Sequence, residues 1–222
     1  LTNFFQVKKK SKLSNARLGL INTSHGKINT PSFIFCGTKA TVKSVLPSQL
    51  KLARTQIILS NTYHLMLQPG PEIISKEGGL QSFTDWNGPM MTDSGGYQIF
   101  SLGYGSVSEE IKGKNNNAKR KSLIKITEDG ASFRNYINGD KVFLSPERSI
   151  ELQRDFGADL IFVLDECTPF NVSKKYTEKS MYMSHRWAAR CKISFDSKFK
   201  KYNSTFGSCL LYTSPSPRDD GV

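Results

Sequence analysis

What the 222-residue sequence lacks narrows it first. Its four cysteines, Cys36, Cys167, Cys191 and Cys209, are far apart and form no C-x-x-C pair. That speaks against a disulfide framework and against a zinc site built within this chain; the usage suits a reducing compartment, so a cytoplasmic location is expected. No apolar run approaches the ~18 residues of a membrane span, so no membrane partner is expected. The opening LTNFFQVKKKSK has no apolar core of a secretory signal, and a start at Leu1 in place of Met reads as a fragment or a processed end. Of three histidines, none stands in a Cys/His cluster. His64 and His185 lie among apolar residues and read as core or boundary positions, and His25, beside Gly26, as a hairpin or loop residue, so no metal ligand is assigned.

What is present is a basic chain with room for a large core. At 37% hydrophobic and 11% aromatic residues it reads as globular, and its formal charge of +12 favours a polyanionic partner. RNA or DNA comes first, because phosphate contacts give affinity without sequence information. A solvated basic surface with no such partner is the alternative.

The hydrophobic pattern repeats one design. A helix over Pro47–Ala53 leads to a short apolar strand, Gln56–Asn61. A helix from Pro71 to Lys76, stopped at Gly78-Gly79, leads to a strand ending at Asp93. In SPERSIELQRDFG, Ser145 is placed to cap a helix, Pro146 to open it and Gly157 to end it. DLIFVLDEC then reads as an all-apolar strand ending at Asp165-Glu166. Helices alternating with continuously apolar strands predict a parallel sheet covered on both faces, with ligands at the strand C-termini. Asn61, Asp93 and Asp165 should therefore meet at one mouth. Asp129-Gly130 and Asn138-Gly139 signal a small antiparallel excursion, Glu109–Leu123 a loop, and Val172–Phe195 a long helix capped by Ser173. Met183, Trp187, Cys191 and Phe195 recur every fourth residue along it and read as a core stripe.

The stretch GPMMTDSGGYQIFSL, Gly88–Leu102, carries the most chemistry. Asp-Ser-Gly-Gly is good turn chemistry. It is equally what a flat ligand needs: glycines that clear room, an aromatic ring to stack, and an acid. Three polar strand ends in phase tilt the balance toward a site.

The segments TPSFIFCGTKATVK, IILSNTYHLMLQPG, GGLQSFTDW, MTDSGGYQIFSL, LSPERSIELQ and LDECTPF together resemble the tRNA-guanine transglycosylase family, bacterial queuine/prequeuosine type. They run from about Asn15 to Gly207. The resemblance implies a (β/α)8 TIM barrel, here an incomplete one, and exchange of a tRNA wobble guanine for a 7-deazaguanine. It implies that Asp93 is the general acid/base and that Tyr97 stacks on the base. Ser94, Gly95 and Gly96 would line the pocket, with Cys167 also beside the base. Asp165 would bind the polar edge of the base, and Asn61 and Gln98 would hold Asp93. The implied partners are the tRNA anticodon loop, guanine and the 7-deazaguanine, with a homodimer at full length. The family's nucleophilic aspartate and its structural zinc site belong to a C-terminal half whose pattern is missing here. Residues 1–207 are accordingly read as the N-terminal part of the barrel, and residues 208–222 as an atypical tail with no assigned role. A non-catalytic, tRNA-binding relative is the alternative reading.

Overall fold

The computed structural model describes residues 4–104, 124–168 and 172–198. Three antiparallel strands come first: β1 (Phe5–Lys10), β2 (Arg17–Thr23) and β3 (Gly26–Thr30), paired in that order. A parallel sheet follows, built from β4 (Phe35–Cys36), β5 (Ile58–Ser60), β6 (Met90–Thr92) and β10 (Leu160–Ile161) in the order β10-β6-β5-β4. Helices α1 (Pro47–Leu52), α2 (Thr62–Leu67), α3 (Pro71–Lys76), α4 (Leu80–Thr84) and α5 (Gly96–Tyr104) lie between its strands. The excursion expected near residue 130 is present as β7 (Lys125–Thr127), β8 (Gly130–Arg134) and β9 (Lys141–Leu144), all antiparallel. It leads into α6 (Pro146–Asp155) before β10, and α7 (Lys174–Lys198) closes the described chain. The architecture is α/β with an open parallel sheet, and no closed barrel is formed among the described residues.

The helix signals translate directly into geometry. The Ser145 hydroxyl accepts from the Arg148 N–H at 3.1 Å, Pro146 fills the first helical position, and Gly157 follows the helix at φ +73°. Ser173 accepts from the Tyr176 N–H at 3.2 Å at the start of α7. Met183, Trp187 and Cys191 are buried and Phe195 packs beside them, so the fourfold stripe is core, as expected. The main core gathers Leu65, Ile74, Leu80, Ile150, Leu152 and Phe156 between helices and sheet. The expected loop at 109–123 and the tail at 208–222 lie outside the described residues.

One expectation fails. The DLIFVLDEC run is a strand only over Leu160–Ile161, so Asp165 stands beyond a strand instead of closing one. Among the described residues β10 pairs only with β6, itself three residues long, so the ladder ends with Ile161 opposite Thr92. Buried backbone groups beyond it still need partners, and helical side chains supply them. Gln153 of α6 both accepts from the Phe162 N–H (2.9 Å) and donates to the Phe162 carbonyl (2.8 Å), as a neighbouring strand would. The Leu164 N–H reaches the Cys191 Sγ at 3.4 Å, and the Glu166 N–H reaches the Ser184 hydroxyl at 2.9 Å. Apolar continuity marked this segment as buried but carried no information about its partners.

The antiparallel β1–β3 sheet sits at the starting ends of the parallel strands. Ile28 of β3 packs with Ile57, Met91 and Leu160. His25, in the β2–β3 turn, pairs through Nδ1 with Asp159 at 2.8 Å, and Asp159 also accepts from the Met90 N–H at 3.0 Å. One end of the sheet is thereby covered, and the opposite end is left for ligands.

Helix α7 is fastened by Trp187, whose Nε1 donates to the Glu128 carbonyl at 2.7 Å from a fully buried position. Trp187→Phe keeps most of the apolar contact and loses that bond. Unfolding free energy is expected to fall by about 1–2 kcal/mol, read from urea titration at unchanged m-value. Because Arg190 Nη1 also donates to that carbonyl (2.8 Å), a loss near the lower end is anticipated.

Candidate active site

Three segments bring the acids together at the C-terminal end of the parallel sheet. Strand β6 delivers Asp93, and its neighbour β5 delivers Asn61 and Thr62. The Asp93 carboxylate sits in a cradle of donors: Asn61 Nδ2 at 2.5 Å and Gln98 Nε2 at 2.9 Å to Oδ2, and the Thr62 N–H at 2.8 Å to Oδ1. The Gly95 N–H is a fourth donor. The Thr62 hydroxyl in turn donates to the Asp93 carbonyl at 2.6 Å. Burial pushes the Asp93 carboxyl above its ordinary range, and the four hydrogen bonds oppose that rise without cancelling it.

Asp165 is 5% exposed. Burial pushes its pKa up to about 6; the neighbouring Asp93 charge adds a smaller rise, and a hydrogen bond with the Ser94 side chain opposes it. Its Oδ2 is buried with no hydrogen-bond partner among the described residues. Buried acceptors are ordinarily satisfied, so this one is suited to a donor brought by a ligand. Unpaired buried polar atoms of Ser60, Tyr63, His64 and Gln98 gather in the same region, at the end of β5, on α2 and on α5.

The glycines are required by close approach. A Cβ at Gly96 would stand 2.6 Å from the Asp165 carbonyl oxygen, and Gly95 has φ +87°. The Gly96 N–H points to the Ser94 hydroxyl at 3.3 Å. Ser94 is itself held by its carbonyl, which accepts from Ser149 of α6 at 2.8 Å. Tyr97 stands on the first turn of α5, 44% exposed, with its ring 6.2 Å from that of Phe100. Gly96, Asp165 and Cys167 line one hollow with Ile99, Phe100 and Leu164.

Asn61, Asp93, Gly95 and Gln98 thus form one bonded constellation, and Ser94, Asp165, Gly96 and Cys167 the wall beside it. Sequence reasoning missed Thr62 and Ser149, the positioning groups. The N–H of a helix's first residue is a free donor in any sequence, so Thr62 carried no distinctive signal; Ser149 looked like a helix-surface residue. No group of three or more His, Cys, Asp or Glu side chains is placed to hold a metal among the described residues.

Two buried carboxylates, one cradled and one with a free acceptor edge, can share the work of moving a proton and gripping a donor-bearing planar ligand. Comparison with known proteins meets this geometry. The queuine tRNA-ribosyltransferase family matches residues 11–210. A queuine tRNA-ribosyltransferase of Roseiflexus sp. (strain RS-1) is 44% identical over 192 residues, covering 86% of this chain and 48% of the relative. One of Staphylococcus aureus (strain JH9) is 46% identical over 183 residues, 82% of this chain and 44% of the relative. The chain thus spans about half the length of the curated relatives it matches. With matched residues extending over most of its length and enclosing every site residue above, the chain belongs to the queuine tRNA-ribosyltransferase family.

Proposed function

We propose that this chain carries the base-exchange site of a tRNA pentosyltransferase, one that replaces the wobble guanine of tRNA with a 7-deazaguanine. The observation that carries this reading is the pair of buried carboxylates at one sheet end, one held by four donors and the other with a buried, unpartnered oxygen. A 7-deazaguanine presents neighbouring N–H donors, which the two oxygens of Asp165 can accept together. Asp93, kept protonatable by burial, would give a proton to the departing base and take one from the entering base. Tyr97 would cover the face of the base, Ser94, Gly95 and Gly96 would form its floor, and Cys167 would border it. Asn61 and Gln98, with Thr62, are positioning residues acting through Asp93.

Exchange that retains configuration at the sugar carbon takes two displacements, with a carboxylate nucleophile for the first. In this reading the nucleophile, the structural zinc and the completion of the barrel would come from a C-terminal half outside this chain, which spans about half the length of its relatives. Residues 1–207 would be the barrel's N-terminal portion, with 208–222 outside it. Dimerisation and a cytoplasmic setting belong to the same proposal. A non-catalytic RNA-binding role is disfavoured, because such a role has no use for a four-donor cradle around a buried acid.

The test is radiolabelled guanine incorporation into tRNA. The 222-residue chain alone is expected to give none above a no-enzyme control. The same chain completed by the C-terminal portion of the S. aureus relative is expected to incorporate label. Incorporation by the chain alone overturns the placement of the nucleophile outside it, and none by the completed enzyme overturns the base-exchange reading.

A further inference from the structure

A second cluster lies at the same sheet end, outside the carboxylate constellation. Lys39 follows β4, His64 stands on α2, and Tyr136 sits in the turn between β8 and β9. The Lys39 Nζ stands 5.8 Å from the Tyr136 ring centroid, in cation–π range. Tyr136 is 50% exposed, whereas Tyr63, whose ring lies near-parallel to it at 6.2 Å, is buried in the core. His64 meets the Tyr136 ring edge-on at 6.2 Å. A surface aromatic is thus braced from beneath by a buried one, with an exposed cation over its ring that has no carboxylate partner among the described residues.

Core packing does not require this arrangement, since Tyr136 is half exposed. Its relation to the site gives it a purpose. Asn61 and Thr62, which hold Asp93, are followed at once by Tyr63 and His64. Tyr63 and His64, whose rings Tyr136 meets, are therefore within about one helical turn, ~5.4 Å along the axis, of the groups that grip the acid. The His64 imidazole feels both the Lys39 and the Asp93 charge, with burial and Lys39 together holding its pKa below the ordinary value. A neutral imidazole leaves Lys39 as the one fixed charge of the patch. Through His64, which feels both charges, this surface borders the pocket where a strand's base would enter beside Asp93.

We propose that Lys39 and Tyr136 form a docking patch for the single-stranded RNA flanking the exchanged base. Lys39 swings from the Tyr136 ring to a backbone phosphate, and Tyr136 offers the face so freed to an unpaired neighbouring base. An aromatic ring beside a cation is the combination by which proteins hold unpaired nucleotides without reading their sequence. The patch rests on the reading of the pocket given above and extends it from the exchanged base to its neighbour.

Fluorescence anisotropy with a labelled anticodon stem-loop RNA, titrated with this chain at several salt concentrations, tests the patch. Lys39→Ala should weaken binding and make the plot of log affinity against log salt shallower by about 0.7, one phosphate contact to a single strand. Tyr136→Ala should weaken binding about tenfold, within the range of base–aromatic stacking, and leave the salt slope unchanged. Tyr136→Phe keeps the ring and should bind within about twofold of the parent, separating stacking from any structural effect of the hydroxyl. Calorimetry with free 7-deazaguanine on the unsubstituted chain separates the patch from the pocket. If the base binds but RNA affinity is absent or ignores both alanine substitutions, the patch is wrong and the pocket stands. If the base does not bind, the pocket reading fails and takes the patch with it.

Discussion

Replacing Asp93 with asparagine is expected to lower single-turnover base exchange by about 10²-fold or more, the usual loss when a positioned proton-transfer group is removed. The assay enzyme is this chain completed by the C-terminal portion of a relative. The substitution isolates the proton because the cradle tolerates it. Oδ1 would still accept from the Thr62 N–H, while the new amide nitrogen would face the Asn61 and Gln98 side chains. Both of those are amides, and a half-turn of each presents an oxygen to the new donor. Shape and the bonds with Asn61, Thr62 and Gln98 survive, and the protonatable carboxyl does not. Base affinity should therefore change much less than turnover. An Asp93→Asn enzyme exchanging at the parental rate would remove Asp93 from the chemistry.

Asp165→Ala is expected to act on the other axis, weakening free 7-deazaguanine binding at least tenfold. A hydrogen bond to a charged acceptor contributes about 1.5–3 kcal/mol, and 1.4 kcal/mol is one decade in affinity. Here the acceptor is buried and its Oδ2 has no partner among the described residues, so it is open to a ligand's donors. The pH dependence gives a second readout. With its pKa near 6, Asp165 is largely protonated at pH 5 and ionised at pH 7. Base affinity measured by calorimetry should rise with pH through about 6 and then level off. For the empty protein the sign is opposite. A carboxyl that holds its proton more tightly folded than unfolded favours folding fully below the unfolded pKa, and that contribution is lost as pH rises through about 6. Asp165→Asn should therefore flatten the fall in stability between about pH 4 and 6, seen in thermal melts across that range. Unchanged base binding by the alanine variant would contradict the assignment of Asp165.

The parts of this site that were legible in the sequence share one property: their signals are local. Ser145-Pro146, Ser173 and the glycine turns state their geometry within a few residues, and the structure follows them. Asp93 and its glycines stood out for the same reason, helped by a resemblance whose motifs are long and specific. Asp165 stood out too, but on a strand that in fact stops at Ile161, because strand pairing depends on a neighbour that apolar spacing does not describe. Ser149 and Gln153 were invisible for a related reason. Both lie on α6 and look like helix-surface polars, yet Gln153 binds Thr92 and Phe162 while Ser149 holds Ser94. Their partners are 55 and 61 residues away for Ser94 and Thr92, and only tertiary structure brings them together.

The different reach of the contacts around the two acids bears on the order in which the site assembles as the chain leaves a ribosome. The side-chain and backbone donors to Asp93 all lie between Asn61 and Gln98, so its cradle is complete in sequence once residue 98 has emerged. The segment carrying Asp165 must wait, since its backbone is tied to Ser184 and Cys191, 18 and 27 residues ahead on α7. Synthesis runs at about 5–20 residues per second, so the last donor to Asp93 leaves the ribosome several seconds before the groups that tie the Asp165 segment. During that interval the nascent chain holds every donor to the acid but lacks the side chains that fix the second wall, and a free base has no complete pocket until α7 arrives.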